Sequence, residues 1–217
     1  MVWLQTVIAD LSPQAWEPPA APLVAGCFVC FPRGEHGPGA AGDPAVAAAA
    51  VLLDGRVVGT WIVHGAAGAA YAPGLLALRE GALLASAVDS LDPRPDAVLV
   101  DATGRDHPRR AGLATHLGWA LEIPTIGVTH RPLLASGAWP AGNAGAASPL
   151  RIDGEVVGCW LRARSGARPL AVHAGWRTTA AIACDIVRSL SLVRTPEPLR
   201  QARRLARTER SSPATAG

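Results

Sequence analysis

The sequence predicts an α/β domain on one mixed sheet, with antiparallel strands first and parallel strands after. Two Asp-Gly pairs, Asp54-Gly55 and Asp153-Gly154, each sit between strand-forming runs and read as tight hairpins. Residues 98–118, VLVDATGRDHPRRAGLATHLG, pass from an apolar strand through a charged loop into a helix. A strand with no polar alternation is one covered on both faces. At 217 residues, 49% hydrophobic and only 17% charged, the chain is long and apolar enough for a packed core.

The elements follow in order. Residues 1–22 begin apolar and decay into Pro13, Pro18, Pro19 and Pro22, which reads as an N-terminal arm or short helix with an extended lead-in. Residues 23–31, LVAGCFVCF, form a central strand that Pro32 ends, and residues 45–53 and 57–64 form the first hairpin. Residues 75–91 carry apolar side chains at helical spacing, with a gentle break at Gly81. The strand at 98–100 leads to a helix over 111–121, then to a short buried strand at 125–128. A second hairpin (150–152 with 156–163), a strand over 169–173 and a helix over 178–192 complete a domain of residues 23–195. Residues 196–217 read as a basic C-terminal tail, helical at first and disordered from about Ser211. This is the order of a ribonuclease-H-like mixed sheet flanked by helices.

Composition narrows the class. No lysine occurs, so every one of the 20 basic residues is arginine, and the net charge of +3 permits nucleic-acid binding without requiring it. The first residues lack the basic and apolar regions of a secretory signal, and no apolar stretch is long enough to span a membrane. A cytoplasmic monomer is the expectation. Cys27 and Cys30 form a C-x-x-C, but i and i+3 of a strand face opposite ways, which suits neither a redox pair nor a shared metal.

In an open α/β sheet, ligands gather beyond the carboxyl ends of strands. Asp101 stands there, followed by Gly104, His107, Arg109 and Arg110, a set suited to a metal and a phosphodiester. Arg109 and Arg110 are placed for the phosphate backbone. Arg200, Arg203, Arg204 and Arg207, at i, i+3, i+4 and i+7, put four guanidiniums on one helix face able to track phosphates.

Several blocks together resemble the endonuclease V family, whose members nick DNA or RNA near deaminated adenine (inosine). Residues 71–81, YAPGLLALREG, resemble its PYxPGLLaFREG block, and residues 100–118 resemble its vDGxGxaHPRxxGxAsHlG block. Residues 123–128, IPTIGV, the run from Asp153 to Gly158, and Pro196-Glu197-Pro198 match as well, so the resemblance covers about residues 23–204. It implies Mg²⁺ held by carboxylates, of which Glu80 and Asp101 are retained. It also implies a base-recognition pocket. Tyr71 would be the aromatic wedge beside a flipped base, with Gly74 and Leu76 on one side and Gly104, His107, Gly112 and Leu113 on the other.

The chain departs from the family at the metal. Phe28 stands where the GVDxSF strand carries its carboxylate, Trp176 where SPGH carries its histidine, and His130 where GVAK carries its lysine. Ala102 replaces the first glycine after the catalytic aspartate. The expectation is therefore a protein that binds inosine-containing DNA or RNA with weak or lost nuclease activity. One alternative is an active nuclease that rebuilds its metal site with Asp106, Glu35 or Asp43. Another is a protein-interaction module, with Trp176 and Phe28 filling the old cleft.

Overall fold

The first three strands are β1 (Val24–Cys30), β2 (Pro44–Leu53) and β3 (Arg56–Ala66), and they form the expected antiparallel meander in a computed structural model of the chain. The structure describes residues 1–32, 37–191 and 193–211. At both hairpins, β2–β3 and β6 (Ala147–Ile152)–β7 (Glu155–Leu161), the turn residues have positive φ, as the Asp-Gly pairs predict. β4 (Ala97–Val100) and β5 (Thr125–Thr129) run parallel to β1, and β8 (Leu170–Ala174) returns antiparallel beside β5. The resulting eight-stranded order is β3-β2-β1-β4-β5-β8-β7-β6. β4 and β5 are the expected parallel strands and β6–β7 the expected second hairpin; β8 alone differs from the expected parallel run, pairing antiparallel with both β7 and β5.

Helices cover both faces. α2 (Leu76–Asp89) and α3 (Leu113–Leu121) pack on one, through Leu84, Val88, Leu113 and Leu117 against Ala25, Cys27, Val98 and Val100. α4 (Ala180–Ser189) and α5 (Glu197–Ser211) cover the other. The strand period of two places neighbouring side chains of β1 on different faces: Cys27 joins the α2 face, while Cys30 Sγ lies 3.3 Å from the Ala206 carbonyl of α5. All four cysteines are free and buried. Among the described residues, no helix is long and apolar enough to cross a membrane.

Both ends of the described chain belong to this architecture. Residues 2–10 form α1 (Val2–Asp10), which buries Gln5 and Ile8 near α3. The segment read as a basic tail is α5, a helix laid along β1 and β2 with Leu199, Ala202 and Ala206 buried. Its buried side is Pro198, Leu199, Ala202 and Ala206, a narrow apolar stripe among arginines. Small side chains permit the close approach: a Cβ on Gly26 of β1 would lie 2.3 Å from the Pro198 carbonyl carbon. Ser211 closes α5, and the disorder expected beyond it falls outside the described residues.

Gly26→Ala is expected to lift α5 from the sheet and cost about 1–3 kcal/mol, the range for overpacking a close-packed interior, read as a lowered urea midpoint.

Candidate functional site

The chain after β4 turns sharply, and its loop builds two adjoining places. The first is a cavity of about 250 Å³ between the start of α2, the loop after β4 and the end of β5. Tyr71, Gly74, Leu76, His107 and Leu113 line it, together with Ala102 and Thr129, so five of the expected recognition residues share one space. Tyr71 is half exposed at its edge. Gly104 and Gly112 stand behind the wall: a Cβ on Gly104 would meet the Ala174 carbonyl oxygen at 2.1 Å, and one on Gly112 the Thr103 carbonyl oxygen at 2.4 Å. They are glycines because backbone packs on backbone there.

One carbonyl organises this cavity. Gly74, at φ +74°, turns its oxygen inward, where it accepts from Gln5 Nε2 (2.9 Å), Arg109 Nη2 (2.8 Å) and His107 Nε2 (3.2 Å). The Arg109 amide donates to His107 Nδ1, which fixes the neutral ring with its proton on Nε2. Burial and the neighbouring Arg109 charge push the His107 pKa down, in keeping with that neutral form. Gln5 also donates to the Ala111 carbonyl and accepts from Arg109 Nε at 2.6 Å. Arg109 is thus an internal strut rather than the phosphate ligand expected from its loop position. Arg110 faces Asp153 and Glu155, at 3.4 and 3.6 Å.

A buried relay supports the far wall. Asp106 accepts amide hydrogens from Leu133, Leu134 and Ala135 at 2.6–2.8 Å and faces His173 Nδ1 at 3.5 Å. His173 Nε2 lies 2.7 Å from Thr129 Oγ1, whose own proton goes to the Arg131 carbonyl. Burial lowers the His173 pKa to about 4, with Asp106 opposing the shift.

The second place is the carboxyl end of β4. Cys27 of β1 pairs with Val100 of β4, so Phe28 is level with Asp101. Burial pushes the Glu80 carboxyl up to about 7; Arg79 opposes the shift and the nearby Asp101 charge adds to it. Asp101 accepts from Arg203 Nη2 of α5 at 2.6 Å, and the Arg203 guanidinium carbon lies 5.4 Å from the centre of the Phe28 ring. His130 borders the same crevice as Asp101 and Arg203; burial and the charges of Arg194 and Arg203 lower its pKa.

Trp176 lies elsewhere. Its amide and carbonyl bond Thr125, the first residue of β5, which pairs with Val98, three residues and ~10 Å before Asp101. It borders a separate crevice with Ile8 and Leu11. The β8–α4 turn sits at the start of β5 because β8 runs antiparallel to it.

The Mg²⁺ that the resemblance implies does not fit these residues. Phe28 offers no donor atom, and Asp101 already faces a guanidinium. Asp106 is spent on three amides and Asp43 on Arg79 and the Ala40 amide, while Glu35 lies outside the described residues. Among the described residues, no group of three or more His, Cys, Asp or Glu side chains is placed to hold a metal ion.

Sequence reasoning missed Gln5, Thr129 and His173, whose partners are distant in the chain and leave no local pattern. Arg203 was visible in the arginine spacing, but not its inward turn. Arg200 binds Glu197 and Arg204 binds Gln201, so the four arginines do not form a free stripe.

The mixed sheet with its helical layers defines the class as ribonuclease-H-like. The Endonuclease V family pattern matches residues 9–204, and the chain belongs to the endonuclease V family. An endonuclease V from Methanopyrus kandleri is 45% identical over 167 residues, covering 74% of this chain and 71% of its own. The structure of the Streptomyces avermitilis endonuclease V superposes with a TM-score of 0.83 at 34% identity, over 95% of this chain and 88% of that one. A Ciona intestinalis endonuclease V, solved with a 23mer DNA containing an inosine followed by a ribo-adenosine, shares the fold at a TM-score of 0.80 and 21% identity, over 96% and 94% of the two chains.

The relay sets an acid limit. A His173 pKa held below the unfolded value stabilises the fold fully above about pH 6.5, and that contribution is lost as pH falls toward 4. The loss amounts to about 3 kcal/mol, and His173→Gln is expected to flatten the fall in melting temperature across that window.

Proposed function

We propose that this protein binds inosine-containing nucleic acid through the Tyr71 cavity and has lost metal-dependent strand cleavage. The observation that carries the reading is the contrast between its two adjoining places. The recognition cavity keeps its wedge, Tyr71, at the edge, and its left-handed glycine and neutral histidine, which are tied together by hydrogen bonds. The neighbouring carboxylates have lost a ligand to Phe28 and gained a guanidinium on Asp101. A Ciona relative was solved with an inosine-containing DNA, which supports deaminated adenine as the base class.

The chemistry fits that division of labour. A flipped base costs a few kcal/mol of unstacking, which the Tyr71 ring partly offsets by filling the gap. Leu76, at the start of α2, lines a cavity whose geometry the Gly74 carbonyl fixes. Hydrolysis, by contrast, needs water activated by a cation at Asp101 and Glu80, and a guanidinium does not lower the pKa of bound water as a metal does. The methyl of Ala102, facing the cavity, limits how closely backbone meets the base and keeps discrimination modest.

Fluorescence anisotropy with single strands that differ only in inosine or adenine tests this. Tighter binding of the inosine strand is expected. Tyr71→Ala is expected to weaken inosine binding by about tenfold, from the ~1–3 kcal/mol that stacking supplies, and to bring the two strands level. Equal affinity of the unmodified protein for both strands overturns base recognition. Metal-dependent nicking beside inosine, abolished by Asp101→Asn, restores the nuclease reading.

A further inference from the structure

We infer that Arg203 is a tethered cation standing against Asp101 in place of a divalent metal, and that with Arg207 it forms a metal-free site for a backbone phosphodiester. This rests on the nucleic-acid reading above and extends it to the neighbouring phosphate.

Three observations place the site. Arg203 reaches from α5 to Asp101 at 2.6 Å, so a unit positive charge lies against the carboxylate at the end of β4. Its Nε is buried without a hydrogen-bond partner, leaving an orphan donor beside an acidic residue that already has its cation. Arg203 and Arg207 both place their guanidinium carbons 5.4 Å from the centre of the Phe28 ring, one helical turn apart. Phe28, useless as a ligand, is thus a platform holding two guanidiniums by cation–π attraction.

The other arginines of α5 are spent. Arg200 binds Glu197, Arg204 binds Gln201, and Arg210 donates to the Phe31 carbonyl. Arg207 is exposed; its guanidinium stands over the ring of Phe28, its charge reaches the Cys30 thiol, and its carbonyl accepts from Ser211 Oγ. Arg203 neutralises Asp101 and so removes the repulsion that a carboxylate would raise against a phosphate. Arg207 then adds a charge with no ion-pair partner among the described residues, and planar guanidinium donors match phosphate oxygens in pairs. Thr129 borders both the tyrosine cavity and the small crevice of Asp101 and Arg203, so the base pocket and the arginine pair are neighbours.

The test uses the full chain, with labelled inosine and adenine single strands in EDTA and in Mg²⁺. Binding of the unmodified protein is expected to be the same in both. Arg207→Ala, a change on the exposed face, is expected to weaken both strands alike, three- to tenfold, and to lower the slope of log affinity against log salt by about 0.7, one phosphate contact on a single strand. Arg203→Ala exposes Asp101 to the phosphate and is expected to weaken binding in EDTA with partial recovery in Mg²⁺, whereas Arg203→Lys keeps most of it. Titration with Mn²⁺ alone, followed by the loss of its free EPR signal, is expected to show no submillimolar site in the unmodified protein.

An unchanged salt slope in Arg207→Ala, a Mg²⁺ requirement in the unmodified protein, or a Mn²⁺ site abolished by Asp101→Asn overturns the proposal. If both arginine effects appear while the two strands bind equally, the phosphate site stands and the inosine reading falls. Inosine preference without arginine effects gives the converse. No binding of either strand overturns both.

Discussion

The close seating of α5 on β1 governs what this molecule can do. Gly26 leaves no room for a side chain under Pro198, so the helix lies against the strand. That contact sets the height and rotation of the next two turns of α5. Leu199, Ala202 and Ala206 face the sheet, and the 3.6-residue period then aims Arg203 at the end of β4. Here it meets an aspartate, and the charge balance at the centre of the sheet is settled by a side chain.

The recognition side depends on a different economy, in which one carbonyl accepts three hydrogen bonds. Gly74 adopts a conformation that suits glycine, and its oxygen then gathers a glutamine, an arginine and a histidine. Each donor is fixed by a second bond: Gln5 to Ala111 and Arg109, Arg109 to Gln5, and His107 to the Arg109 amide. A buried polar network satisfied at every member is stiff, and stiffness is what a base pocket needs. Arg109 illustrates the cost of reading a charged loop residue by type alone, because burial turned a candidate phosphate ligand into internal bracing.

How much was legible in the sequence follows from the range of the forces. The Asp-Gly hairpins and the strand into Asp101 are local signals, set by turn geometry and by side-chain period, and they hold in the structure. So does the grouping of Tyr71, Gly74, Leu76, His107 and Leu113 about one cavity, because contiguous motifs carry their own geometry. What stayed hidden depends on pairings between distant residues. Gln5 meets Ala111 across 106 positions and Arg203 meets Asp101 across 102, and neither separation leaves a periodic trace. Trp176 was misplaced because the strand before it runs opposite to its neighbour, a fact of topology rather than of composition.

Gln5 and Arg203 also fix when this site comes into being. The cavity draws on α1 and the crevice at Asp101 on α5, the first and last helices of the described chain. During synthesis the glutamine emerges early and waits for Arg109 and Ala111, while Asp101 stays without its guanidinium until α5 has been made and docked. A chain whose α5 has not docked therefore holds an unpaired carboxylate at the end of β4, and one whose α1 has not docked lacks the Gln5 brace on Arg109.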